Sequence, residues 1–168
     1  MTSGTGSGPW LRQGARAVIL DDRDRVLLVR FEFTRPMHGV AGLWAAPGGG
    51  VEDGEDDRRA LTRELAEEVG LDDPVIGPLI WTRTHVLPMS TGHDGQREGF
   101  YLVRTPSFEP RPALSAAALR AENVVGLRWW TVDELAASDA VFAPRRLPGL
   151  VAALVADGLP DGVINVGV

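Results

Sequence analysis

Cysteine is absent from the 168 residues, which excludes disulfides and thiolate metal ligands. Only three histidines occur. His38, His85 and His93 lack helical metal-ligand spacing, so any metal site in this chain is built mostly from oxygen. No apolar run approaches the roughly 20 residues of a membrane-spanning helix, and the first residues lack the basic and apolar regions of a secretory signal. The expected location is therefore the cytoplasm, with no membrane partner. Basic residues are the minority: 17 Lys and Arg stand against 23 Asp and Glu, for a net charge of -6. That balance argues against wholesale binding of long nucleic acid, whose affinity comes from basic groups displacing phosphate counterions. An acidic protein that handles phosphates needs a cation as intermediary.

With 44% hydrophobic and 24% charged residues, the composition fits one compact domain over 9–168. Residues 1–8 are rich in Gly, Ser and Thr and are expected to form a disordered tail. Residues 15–20 and 26–33 are apolar-rich runs separated by the polar turn 21–24, the pattern of a hairpin. A short strand is expected over 43–46, ended by Pro47 and three glycines. Residues 53–69 carry the clearest helical signal, because Leu61, Leu65 and Val69 recur every four positions and Gly70 follows as a stop. Strands are expected over 74–87, 98–104 and 124–130, and a short helix over 116–122. Thr131 and Glu134 have the capping-box spacing of a helix running to about 138. Pro144 and the spacing of Leu150, Leu154 and Val155 predict a last helix that ends before Gly158.

The chemistry concentrates in one segment. At 3.6 residues per turn, Glu64, Glu67 and Glu68 project from one helical face beside the apolar one. Three like charges there repel by a few tenths of a kcal/mol per pair when solvated. Arg63 reaches Glu67 at i+4 but cannot balance the group alone. Hard oxygen donors clustered this way suit Mg²⁺ or Mn²⁺, although a run of this kind is also compatible with a solvated acidic face.

The wider segment Gly49, Glu55, Arg63-Glu64-Leu65, Glu67-Glu68, Gly70-Leu71 resembles the Nudix box at every defined position, and the similarity in element order extends over about 12–135. Residues 141–168 lie outside it. The resemblance implies an α/β fold, an α/β/α sandwich around a mixed β-sheet. It also implies hydrolysis of a diphosphate linkage in a nucleoside diphosphate derivative: a nucleoside triphosphate, ADP-ribose, a dinucleotide or a sugar nucleotide. By the same resemblance Glu64, Glu67, Glu68 and the carbonyl of Gly49 hold Mg²⁺, with Mn²⁺ as substitute. Arg63 joins the catalytic set by orienting Glu67, and Glu55 supports the helix start. Family members recruit a further acid from beyond the box, for which Glu98 and Glu122 are the candidates. A homodimer is common in the family.

Substrate recognition is less legible. Phe31, Phe33, Trp44 and Tyr101 offer aromatic faces for a base, and Arg30, Arg35, Arg83 and Arg97 offer guanidinium groups for phosphate; Arg30, Phe31, Trp44 and Arg97 are the first choices. Trp129 and Trp130 alternate on a strand, so at least one is core. Two other readings belong to the same scaffold. A silent nucleotide-derivative-binding module would not require the full carboxylate set, and isopentenyl diphosphate isomerisation requires a cysteine that the chain lacks.

Overall fold

The computed structural model describes residues 8–37, 39–89 and 91–167. Most of the expected N-terminal tail, and His38, lie outside them. Strand β1, Leu11–Leu20, runs into β2, Val26–Met37. Their turn is locked by the buried Asp21 carboxylate, which accepts from the backbone N–H groups of Arg23 and Arg25 at 3.0 and 2.9 Å and from the Arg25 guanidinium at 2.8 Å. The chain continues through β3, Val40–Ala45, and β4, Gly48–Gly50, to helix α1, Asp57–Val69. Then follow β5, Leu79–Val86; β6, Gly95–Arg104; α2, Ala116–Ala121; β7, Val124–Trp130; and α3, Val132–Ala137. Strand β8, Phe142–Ala143, helix α4, Leu147–Asp157, and strand β9, Ile164–Asn165, complete the order.

Several expected boundaries move for local reasons. Helix α1 begins at residue 57 because the Asp56 side chain accepts from Arg59 N–H at 2.8 Å and caps it. Residues 52–55 instead form a turn in which Glu55 N–H donates to the Glu52 carbonyl. Strand β5 begins at residue 79, five residues after the expected start, since Pro74 and Pro78 have no N–H to give a ladder. The glycine run after Pro47, expected to end a strand, forms the short strand β4.

The sheet is mixed. Its order is β8-β3-β2-β1-β6-β5-β9, with β4 also paired to β1 and β7 to β2. Strand β1 pairs with β6 in parallel along its whole length, from Leu11 opposite Gly95 to Leu20 opposite Arg104. Its other edge meets β2 only at Leu20 and Val26 before the two strands part. β4 takes up that edge at Gly14, Ala15 and Arg16. The parting opens a cleft between the β1-β6-β5 strands and the β2-β3 strands.

Alternation along β1 and β2 buries both faces, as expected of strands inside a layered fold. Ala15, Ala17, Ile19, Leu27 and Val29 pack with Leu61, Leu65 and Val69 of α1. Val18, Leu20, Val26 and Leu28 pack on the opposite side with Leu135 of α3 and Leu147, Leu150, Val151 and Leu154 of α4. Helices thus cover both sides of the sheet, giving the expected α/β/α sandwich. Trp129 and Trp130 fall on opposite faces, as alternation requires: Trp130 is in the α4-side core, and Trp129 packs on the α1 side. No helix among the described residues is long and apolar enough to cross a membrane.

Candidate active site

Helix α1 presents its acids from a well-anchored frame. Gly70 ends the helix at φ 73°, where a β-carbon would also collide with the Arg111 carbonyl. The following connection lies along this end: Arg111, Ala113 and Leu114 donate their N–H groups to the carbonyls of Val69, Ala66 and Glu67. Those bonds satisfy helix-terminal carbonyls and fix where α2 begins. At the end of α2, Glu122 reaches the helix face, and carboxylate oxygens of Glu64, Glu68 and Glu122 come within 4.8 Å of one another.

The glycine run closes the site from the other side. Gly48 donates its N–H to Oε2 of Glu68 at 3.1 Å. A β-carbon on Gly49 would stand 2.4 Å from Oε1 of Glu64, so only glycine leaves this carboxylate its space. Arg63 is a hub: it grips Glu55 with Nε and Nη2 at 3.0 and 2.9 Å, and donates to Glu64 Oε1 at 3.0 Å and to the Gly50 carbonyl at 3.2 Å. Glu67 lies 3.5 Å from the same guanidinium and outside the converging three. The helix explains this: Glu64 and Glu68 are one turn apart on one line, whereas Glu67 is rotated aside toward Arg63.

Burial sets the protonation of the inner pair. Loss of solvent pushes Glu68 up from its ordinary 4.5 to about 8, against the pull of the nearby Arg16. Glu64 is likewise raised by burial, with Arg63 opposing. Glu55 moves the other way, to about 2, because the Arg63 hydrogen bonds favour its charged form. Two buried, reluctantly ionised carboxylates beside a third that is exposed form a group of oxygen donors that could hold a cation.

The cleft adjoins this centre through Arg16. One wall carries Phe31, Phe33 and Leu43; the other carries Arg16, Arg83 and Glu98, with Gln96 and Phe100 on the same strand as Glu98. The whole sequence from residue 10 to residue 149 matches the NUDIX domain family. The chain belongs to the Nudix hydrolase family. It is 31% identical to Nudix hydrolase 25 of Arabidopsis thaliana over 118 residues, which cover 63% of this chain and 67% of that protein. It is 39% identical to nucleoside triphosphatase NudI from one strain of Escherichia coli over 113 residues, 66% of this chain and 79% of that one. The crystal structure of a MutT Nudix hydrolase from Burkholderia pseudomallei aligns with a TM-score of 0.55 and 27% identity, covering 82% of this chain and 94% of that one.

On this Nudix scaffold the residues chosen from sequence for substrate contact separate. Phe31 lines the cleft, as do Phe33 and Arg83. Arg30, Trp44 and Arg97 do not, and strand alternation is the reason. Arg30 points away from its neighbour Phe31 and lies 5.7 Å over the Trp44 ring. Trp44 packs edge-on against Trp130 at 5.2 Å in the core. Arg97 is exposed, on the opposite side of β6 from Gln96 and Glu98. Tyr101 donates to Asp57 Oδ2 at 2.5 Å on the α1 side, and Arg35 is exposed. His85 lines the cleft, and His93 stacks on Trp10.

The two auxiliary acids also part company. Glu122 joins the Nudix-box carboxylates. Glu98 is only 1% exposed, with one oxygen on Arg16 at 2.9 Å and the other on Arg83 at 2.8 Å. Burial alone would raise its pKa, but the two guanidinium groups hold it below the ordinary range, which suits a fixed anion and not a proton acceptor. Sequence reasoning passed over Arg16 and Gln96. The one available signal was a charge at position 16 inside the otherwise apolar run 15–20.

Proposed function

We propose that this Nudix domain is a divalent-metal-dependent pyrophosphohydrolase of a nucleotide-like diphosphate compound, and that Glu64, Glu68 and Glu122 are the core of its cation site. The observation that carries the reading is the gathering of three carboxylates from α1 and the end of α2, one of which, Glu64, lies against a glycine whose β-carbon would displace it. The fit to Mg²⁺ or Mn²⁺ rests on the donors, all hard oxygen, and on the cost of leaving buried Glu64 and Glu68 charged without a cation. The Gly49 carbonyl would add a ligand, and Glu67 adjoins the set from the same helix. When bound, the ion neutralises diphosphate oxygens, orients the attacking water and lowers its pKa.

The chain's own residues do the remainder. Arg63 holds Glu64 and ties it to Glu55 and to the Gly50 carbonyl, so the carboxylate is placed before the substrate arrives. The Gly48 N–H fixes one oxygen of Glu68. Glu122, the exposed member of the three, is the acid open to solvent and the one to which we assign acceptance of the water's proton. The cleft receives the rest of the substrate, with Phe31 and Phe33 offering ring faces and Gln96 and Arg83 polar edges. Nucleoside triphosphates come first among the candidates, in line with the name of the Escherichia coli relative; ADP-ribose, dinucleotides and sugar nucleotides follow. The acidic chain favours such small substrates over long nucleic acid.

The decisive experiment is hydrolysis of a panel of these compounds with Mg²⁺ in ¹⁸O-labelled water. Label on phosphorus in one of two phosphate-bearing products, and loss of turnover with EDTA, are the expected results. Label on a sugar carbon, or release of a monoester phosphate alone, would overturn the reading.

A further inference from the structure

We propose that Arg16 is a positioning residue for the cation centre: its guanidinium clamps the turn that carries Gly48 and Gly49 against helix α1. This rests on the cation site proposed above. A guanidinium inside a core strand is costly to bury unless its donors are paired, and here the partners are an anion and two carbonyls of the turn. Nε donates to Oε1 of Glu98 at 2.9 Å. Nη1 donates to the carbonyls of Ala46 at 3.3 Å and Gly48 at 3.2 Å. Arg16 thereby joins a strand-bound anion to the two carbonyls that flank Pro47.

Glu98 is closed in by Arg83 at 2.8 Å on its other oxygen and by Gln96 Nε2 at 3.2 Å. Besides the backbone ladder of β4 on β1 at Gly14, Ala15 and Arg16, the turn is held at three further points: Pro47 accepts from Ala17 N–H at 2.8 Å, Gly48 donates to Glu68, and Gly49 nests against Glu64. Gly48 is thus gripped from both ends, its carbonyl by Arg16 and its N–H by a carboxylate of the centre. An ion pair serving only the core would be complete with Glu98 and would not extend to the turn. Losing the Arg16 side chain removes the side-chain hold on the Ala46 and Gly48 carbonyls and leaves the backbone ladder with β1 to set the turn, which loosens the placement of Gly48 on Glu68 and of Gly49 under Glu64.

Electrostatics and positioning predict opposite signs, which makes the inference testable by metal binding alone. Removing a positive charge beside carboxylates should tighten cation binding if charge is all that matters. If Arg16 positions the turn, its loss weakens binding. Mn²⁺ is titrated into metal-free protein, with free ion followed by electron paramagnetic resonance, for the wild type, Arg16→Met, Arg16→Lys, Arg83→Met and Glu64→Gln. Melting curves identify which proteins are folded at the assay temperature. Arg16→Met and Arg16→Lys are expected to bind Mn²⁺ about 10- to 100-fold more weakly, the range seen when groups that orient metal ligands are lost. Arg83→Met, which loosens Glu98 but leaves Arg16, should give a smaller loss in the same direction.

Folded Arg16 variants that bind Mn²⁺ as tightly as the wild type, or more tightly, overturn the proposal. Should both Arg16 variants be unfolded, unchanged or tighter binding by Arg83→Met overturns it instead. Failure of the underlying cation site looks different: the wild type and Glu64→Gln would then bind Mn²⁺ equally poorly.

Discussion

Gly49 and Glu64 meet so closely that a β-carbon at position 49 would stand 2.4 Å from Oε1 of the glutamate. Gly49 is not among the residues at positive φ, so the requirement for glycine here is one of space and not of backbone strain. Gly49→Ala should therefore leave the metal-free fold intact while displacing the carboxylate. The expected result is a loss of about tenfold or more in Mn²⁺ affinity and in kcat. Isothermal titration and steady-state kinetics provide the check, and wild-type values for both would show that Glu64 has room to spare.

The four glutamates of the site should be unequal. Glu68→Gln and Glu64→Gln are expected to lower kcat by about 100-fold or more, in proportion to lost charge stabilisation of the transition state. Glu122→Gln should lower kcat and flatten the acidic limb of its pH profile, because it removes the proposed proton acceptor. Glu67→Gln should also reduce the rate, by less than Glu68→Gln, since its carboxylate is drawn toward Arg63. A Glu67→Gln enzyme with unchanged kinetics would make Glu67 surface charge alone.

Stability of the metal-free protein should fall as pH rises from about 4.5 to about 8. Burial raises the Glu68 pKa to about 8 from an ordinary 4.5, so in this window the folded state holds a proton that the unfolded state has released. The contribution is favourable below the unfolded value and is lost as pH climbs through the folded one. Saturating Mg²⁺ should reverse the trend at pH 8, and Glu68→Gln should flatten it. Thermal melts at fixed ionic strength measure this directly; a metal-free Tm that rises over the same range counts against a buried, protonated Glu68.

Asp21 offers a control remote from the chemistry. Its pKa is lowered from 3.8: burial opposes this, but hydrogen bonds from Arg25, Arg23 and Ser107 prevail. The stability it contributes is present above 3.8 and lost as pH falls through the lower folded value. Asp21→Ala leaves turn N–H groups without their acceptor and should cost about 1–3 kcal/mol. Denaturant unfolding at neutral pH measures that loss, while kcat well below Tm should stay near wild type because the turn lies at the opposite end of β1 from Gly14 to Arg16.

Helix α1 was legible in sequence because its information is local: the spacing of Leu61, Leu65 and Val69 fixes one face, and the glutamates follow on another. Gly70 as a helix stop and Thr131 as a cap were readable for the same reason. Glu122 and Glu98 could be named as acids but not told apart, since their difference lies in partners 54 to 82 residues away: Glu68 for one and Arg16 for the other. Arg30, Trp44 and Arg97 were chosen by side-chain chemistry, but the faces they occupy depend on strand register. The clamp at Arg16 was invisible because every partner it has comes from another strand or turn.

The parallel pairing of β1 with β6 has a consequence for errors in folding. A slip of one residue would exchange Arg16 with Ala15 or Ala17, driving a guanidinium beneath Leu61 and Leu65 and leaving Glu98 to face a methyl group. An apolar strand as rich in alanine and valine would tolerate such a slip at modest cost, whereas here the Arg16 guanidinium would lose its partners and Glu98 would keep only those on β5 and β6. The same pair that borders the cleft therefore penalises misalignment of β1 with β6 and acts as a key for strand register.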